Sequence, residues 1–140
     1  DICVLEALKD GAQLRPLSET LAVDAFVVLR PRLRPDSIAR AIERAVAHEG
    51  KMYNFDFDFF SSDRLVCTEV VYRAYDGLDD LRFPLQERAG RKTLSAEDLL
   101  DFAIDDGAFE PVAIFGVGGC EDDVEYGERV RAILLDSYRG

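Results

Sequence analysis

Residues 25–29, Ala-Phe-Val-Val-Leu, constrain the fold most. They form a near-continuous apolar run with β-branched residues, which reads as a buried strand, and Pro31 and Pro35 stop it. A strand apolar on both faces must be covered by other elements. At 140 residues with 48% apolar content, the chain has the length and the side chains for one covered domain over 1–140. Directly afterwards Ile38, Ala41, Ile42, Ala45 and Val46 recur at i, i+3, i+4, i+7 and i+8. That is one apolar stripe of a helix over 36–49, with Asp36 as its cap and Gly50 at its C-terminal stop.

The remaining elements follow from the same rules. Residues 2–5 and 11–14 read as two short strands, with a polar turn at 18–21. The stretch 52–60 alternates Tyr53, Phe55, Phe57 and Phe59 with Asn54, Asp56 and Asp58, a strand by period or an extended loop pinned by its aromatics. Ser61-Ser62-Asp63 is a helix start signal for a helix over about 64–75, with Cys67, Val70, Val71 and Ala74 on one face. A strand is expected near 82–85. Ser95-Ala96-Glu97-Asp98 matches a capping box ahead of Leu99, Leu100, Ala103 and Ile104. Residues 111–117 form another apolar strand, and Tyr126, Val130, Ile133, Leu134 and Ser137 a last amphipathic helix. Strands and helices in this order predict an α+β fold, an antiparallel sheet with helices packed on it.

Charge narrows the function. The 28 acids and 17 bases give a net charge of −11. Nucleic-acid binding rests on Lys and Arg neutralising phosphates, so this balance argues against it, and it equally disfavours an anionic membrane surface. No apolar run approaches the roughly 20 residues of a membrane span. Cys3, Cys67 and Cys120 show no metal spacing, and the single histidine, His48, does not complete a zinc site with them; no cofactor is implied. Cys3 and Cys120 read as small buried hydrophobes.

Two motifs fall away on inspection. Asn54-x-Asp56-x-Asp58 begins like a calcium loop, but its sixth position is Phe59 and its twelfth Leu65. Gly116-x-Gly118-Gly119 follows a strand, yet Glu121-Asp122-Asp123 behind it would repel phosphate, so it reads as a turn. His48 sits in the last turn of its helix, a favourable place for an imidazolium. By spacing alone Cys67 suits two readings. It is a thiol near a helix N-terminus, where the dipole favours thiolate, or it is one more member of an apolar face.

The longer phrases favour the first. Gly50-Lys51-Met52-Tyr53-Asn54-Phe55-Asp56-Phe57-Asp58 followed by Leu65-Val66-Cys67-Thr68-Glu69-Val70-Val71-Tyr72 resembles the YiiX/YaeF-type branch of the NlpC-related papain-like superfamily. Val4-Leu5-Glu6-Ala7 with Gly11 resembles the family's first strand pair, and Val27-Val28-Leu29-Arg30-Pro31 its strand before the first helix. The likeness covers about residues 1–77, and Asn54 stands where the family usually has Asp.

The resemblance implies a circularly permuted papain-like fold, a small antiparallel sheet or half-barrel with the cysteine helix against it. It implies Cys67 as nucleophile and Glu6 as the residue that orients a histidine base, the base lying upstream of residue 1. It places Tyr53 beside the cleft, where its phenol meets substrate. The substrate implied is an amide, ester or thioester carbonyl in a peptide, cell-wall or lipid-linked acyl group, with hydrolysis or acyl transfer as the outcome. A non-catalytic binding or scaffold version of the fold is the alternative.

Overall fold

In the computed structural model, residues 2–8, 11–53, 64–65, 67–88 and 90–139 are described. The chain begins with an antiparallel hairpin, β1 (Cys3–Leu8) and β2 (Gly11–Pro16), in register from Cys3 opposite Pro16 to Leu8 opposite Gly11. The turn expected at 18–21 is instead a single helical turn, α1 (Leu17–Thr20). Strand β3 (Phe26–Pro31) leads through the prolines into α2 (Pro35–Val46). The short strands β4 (Met52–Tyr53) and β5 (Arg64–Leu65) lie parallel and precede α3 (Cys67–Tyr75). The second half adds the hairpin β6 (Gln86–Arg88) and β7 (Arg91–Thr93), then α4 (Ala96–Asp105), β8 (Phe109–Phe115), β9 (Glu125–Tyr126) and α5 (Arg129–Arg139). The result is α+β, with small sheets and helices packed on them.

Strand β3 exists where the apolar run predicts, but it is not the buried strand that run implies. It is the edge of an antiparallel sheet ordered β3–β8–β9. The buried middle belongs to β8, where Phe109, Pro111, Ala113 and Ile114 face inward. No residue of β3 is fully buried, and Val28 keeps 38% of its surface exposed. Its outer face forms the floor of a groove of about 810 Å³ with Phe26, Val112 and Tyr126. An apolar run therefore gave the strand but not its place in the sheet.

The helix after it also differs in detail. Pro35 takes the first helical position and Arg34 is the N-cap, with no cap from the Asp36 side chain. The anionic partner comes from far along the chain. Asp79 accepts from the Arg34 backbone N–H at 3.0 Å and from its guanidinium at 3.0 and 3.2 Å. Asp79 does this from a left-handed backbone, φ 49°, in a 3-10 turn at Leu78–Asp80. Of the expected apolar stripe, Ala41 is buried against Ala74 and Leu78, while Ile42 and Val46 are exposed. The small residues face α3 because they permit close approach; the larger ones point outward.

The core lies between α3, α4 and β8. Leu81, Phe83, Leu94, Phe102, Ala103 and Phe109 form one cluster, with Phe83 5.3 Å from Phe102 and 6.1 Å from Phe109. A second cluster joins Ile104 and Ile114 to Val130, Ile133 and Leu134 of α5. Residues 82–85, expected as a strand, are the irregular segment that delivers Phe83 to this core, and the strand comes afterwards at Gln86–Arg88. The capping box is as the sequence predicts, Ser95 and Asp98 each bonding the other's backbone N–H. Tyr126 is not helical; it pairs with Ala113 and is 70% exposed. Cys120 is buried as expected, whereas Cys3 is exposed.

Gly116 ends β8 with φ 83°, a conformation that penalises any Cβ. An added Cβ would also collide with the Asp24 carbonyl oxygen and approach the Ala25 Cα to 2.8 Å. Both obstacles are backbone and have no rotamer to escape into. We expect Gly116→Ala to cost roughly 3 kcal/mol in urea unfolding, whereas Gly118→Ala, which meets open space, should change stability by less than about 1 kcal/mol.

Candidate active site

The site is organised by what starts α3. The helix was expected from residue 64, but Arg64 and Leu65 are in β5, and Cys67 is the first helical residue. The first turn of any helix has peptide N–H groups without an intrahelical acceptor, and the dipole's positive end lies there. A sulfur carried at that position meets the conditions that favour thiolate. The Cys67 and Tyr53 side chains, and residues 54–63 with their Asn54-x-Asp56-x-Asp58 pattern, lie outside the described residues. At backbone level β4 and β5 bring Tyr53 opposite Leu65, two residues before Cys67.

Three supports hold α3. Val70 is buried with Ala12 and Leu5 of the hairpin. Ala74 packs on Ala41 of α2. Val71, Tyr72 and Tyr75 lean on the aromatic core, Tyr72 6.0 Å from Phe83 and Tyr75 5.8 Å from Phe109.

One charged residue in this helix escaped the sequence reading. Glu69 has none of its surface exposed, and Arg73 Nε donates to its Oε2 at 2.7 Å. Its place in the phrase Cys67-Thr68-Glu69 says nothing of burial, and its i,i+4 spacing to Arg73 on most helices marks a solvated face.

Glu6 sits on the β1–β2 hairpin beside other partners. Strand alternation puts Glu6 on one face and Leu5 on the other, and it is Leu5 that packs toward Val70 of α3. The Glu6 carboxylate accepts from the Thr20 hydroxyl and from Arg15 at 2.9 Å. The Thr20 hydrogen bond is the main cause that holds its pKa below the ordinary glutamate value; Arg15 adds to it, and burial opposes both. The structure thus brings Glu6 together with Arg15 and Thr20, on the hairpin face away from Val70.

His48 lies in the turn after α2, beside Arg44, Tyr72, Arg73 and Asp76. Its Nδ1 is buried without a hydrogen-bond partner among the described residues. Burial lowers its pKa, and the positive charges of Lys51 and Arg73 lower it further. It is held neutral near the C-terminal half of α3, away from the end that Cys67 starts.

Similarity to known proteins agrees with this architecture. The fold is that of a crystal structure of the metalloprotein YiiX from Escherichia coli O157:H7, at TM-score 0.55 and 21% identity, covering 93% of this chain and 69% of that one. No curated protein gives a significant match. The permuted papain-like amidases, a class of cysteine hydrolase, are the group that fold and motif define. Residues 1–109 match the YaeF/YiiX, C92 family of permuted papain-like amidase enzymes, and the chain belongs to that family.

Two pH responses follow with opposite origins. For Glu6 the folded pKa is depressed, so its stabilisation is present above the ordinary glutamate value and is lost as pH falls through the folded one. Glu6→Gln should cost about 1 kcal/mol at pH 7 and lose less than the parent between pH 5 and pH 3 in urea titrations. For His48 the depressed pKa means that the unfolded chain takes up the proton first. Stability should fall as pH drops below the ordinary histidine value and level off below the folded one. His48→Gln should flatten that fall in melting temperature between pH 7 and pH 5; an unchanged slope would count against the buried imidazole.

Proposed function

We propose that this chain is an amidase that works through an acyl-enzyme on Cys67. The observation that carries the reading is that Cys67 opens α3 in a chain of the permuted papain-like amidase family. The thiolate attacks the carbonyl carbon of an amide, and N–H groups of the first turn of α3 stabilise the oxyanion. An imidazolium returns its proton to the departing amine, leaving a thioester. Water then cleaves it, or an amine or alcohol acceptor takes the acyl group.

His48 is assigned no part in this, because its half-buried ring lies beside Arg73 and Asp76 at the far half of α3. The base is assigned to a histidine upstream of residue 1, on a strand beside β1. Among the described residues β1 has β2 as its ladder partner, which makes it an edge strand to which another can be added. Glu6 is on β1 next to that edge, but Arg15 and Thr20 hold its carboxylate on the hairpin face away from Val70, so the orienting role that the resemblance implies for it is not assigned. Tyr53 is proposed to contact substrate from the strand paired with β5. No three of the described His, Cys, Asp and Glu side chains are grouped closely enough to hold a metal ion, and no step is assigned to one.

The substrate proposed is a peptide, cell-wall or lipid-linked acyl amide, with esters and thioesters as variants. Among the described residues no helix is long and apolar enough to cross a membrane.

The natural protein decides the matter. Cys67→Ala should reduce hydrolysis of p-nitrophenyl esters and anilides by roughly a thousandfold or more, and His48→Ala by no more than about twofold. In the unmodified chain Cys67 should react with iodoacetamide faster than the exposed Cys3. Full activity in Cys67→Ala would end the nucleophile assignment, and loss of activity in folded His48→Ala would move the base to the turn after α2.

A further inference from the structure

The buried acid next to the nucleophile poses an electrostatic problem. Glu69 follows Cys67 by two residues, within the first turn of α3, and is fully enclosed. A carboxylate there carries the same charge as the thiolate the site needs, and the interior screens it poorly. By itself it would oppose ionisation of Cys67. The guanidinium of Arg73, one turn further on, meets it at 2.7 Å. We propose that Arg73 is a positioning and tuning residue for Cys67: it neutralises the enclosed Glu69 and so keeps the helix start favourable to a thiolate. This rests on the assignment of Cys67 as nucleophile.

The surroundings make Arg73 suited to this task. From β1 and β2 the groups that meet α3 are apolar, Leu5 and Ala12 against Val70. From the end of α2 come the neutral His48 and the cation Lys51, and the charges of Lys51 and Arg73 both register on the His48 imidazole. Arg44 is bonded to the Asp76 carbonyl and lies on the same side with the Asp76 carboxylate. Helical spacing puts Glu69 and Arg73 on the side of α3 opposite Cys67. The pair therefore acts through the field across the helix.

The test reads Cys67 directly. Iodoacetamide labelling is followed against pH, and the Cys67-bearing peptide is quantified by mass spectrometry. Taking about 10 Å across the helix, removing one charge of the pair should move the midpoint by about half to one pH unit. Arg73→Gln should move it upward and Glu69→Gln downward. The double variant Glu69→Gln/Arg73→Gln should return to the parent profile, and Arg73→Lys should retain it.

A merely structural pair would not give shifts of opposite sign that cancel. Shifts of the same sign, or none in folded variants, would overturn the inference. If circular dichroism finds Arg73→Gln unfolded, Glu69→Gln decides alone: a downward shift supports the inference and an unmoved midpoint overturns it. Failure of the underlying assignment looks different. In that case the parent Cys67 titrates near the ordinary thiol value and reacts no faster than Cys3, whatever the pair variants do.

Discussion

A single residue, Ala12, ties the two ends of the first half together. Its N–H donates to the Lys51 carbonyl at 2.7 Å, and its carbonyl accepts from the Gly50 N–H at 2.6 Å. These bonds fasten the β1–β2 hairpin to the turn that follows α2. The approach is so close that Gly11 beside it has no room for a side chain: with φ 115°, a Cβ would stand 2.9 Å from the Lys51 oxygen. On its other side Ala12 is buried against Val70 of α3. The hairpin, the end of α2 and the cysteine helix therefore share one fixed reference. From it the chain enters β4, and from β5 it starts α3.

The rest of the molecule supports that arrangement by two means. Close packing of Ala41 on Ala74 brings α2 against α3, and the ring cluster around Phe83 holds the opposite flank. Arginines then stitch an acid-rich chain. Arg139 bridges Asp101 and Asp105 of α4, and Arg88 holds Asp98 of the capping box. Exposed pairs of this kind are individually worth little, on the order of 0.5 kcal/mol. With 28 acids against 17 bases they do more to relieve repulsion than to add attraction. The Glu69–Arg73 pair is of another kind, because its carboxylate has no water to fall back on.

How much was legible in the sequence depended on how local the cause was. The α4 start could be read because Ser95 and Asp98 satisfy each other within one turn. The cysteine helix was legible as a helix and, through its phrase, as a member of a family. Its first residue was not, because the parallel pairing of Met52–Tyr53 with Arg64–Leu65 competes for the residues that propensity gave to the helix. The cap of α2 comes from Asp79, more than forty residues away, so no window around Asp36 contains it. Which side of the 38–46 stripe is buried depends on where α3 lands, and the landing site is small, so Ala41 won over Ile42. Of the candidate site, the phrase around Cys67 was legible. The partners Arg15 and Thr20, and the burial of Glu69, were not, because they are set by tertiary placement.

The pairing of β4 with β5 also bears on how such a chain changes over generations. Tyr53 and Leu65 are neighbours across a ladder, so the residues between them begin and end at one place. Lengthening a segment pinned in this way costs only about 0.6 kcal/mol per doubling. Insertions and deletions there leave the helix start unmoved, since the ladder takes up the change. A permuted hydrolase with this layout has, directly ahead of its cysteine helix, a stretch of sequence whose length can drift without the fold being renegotiated.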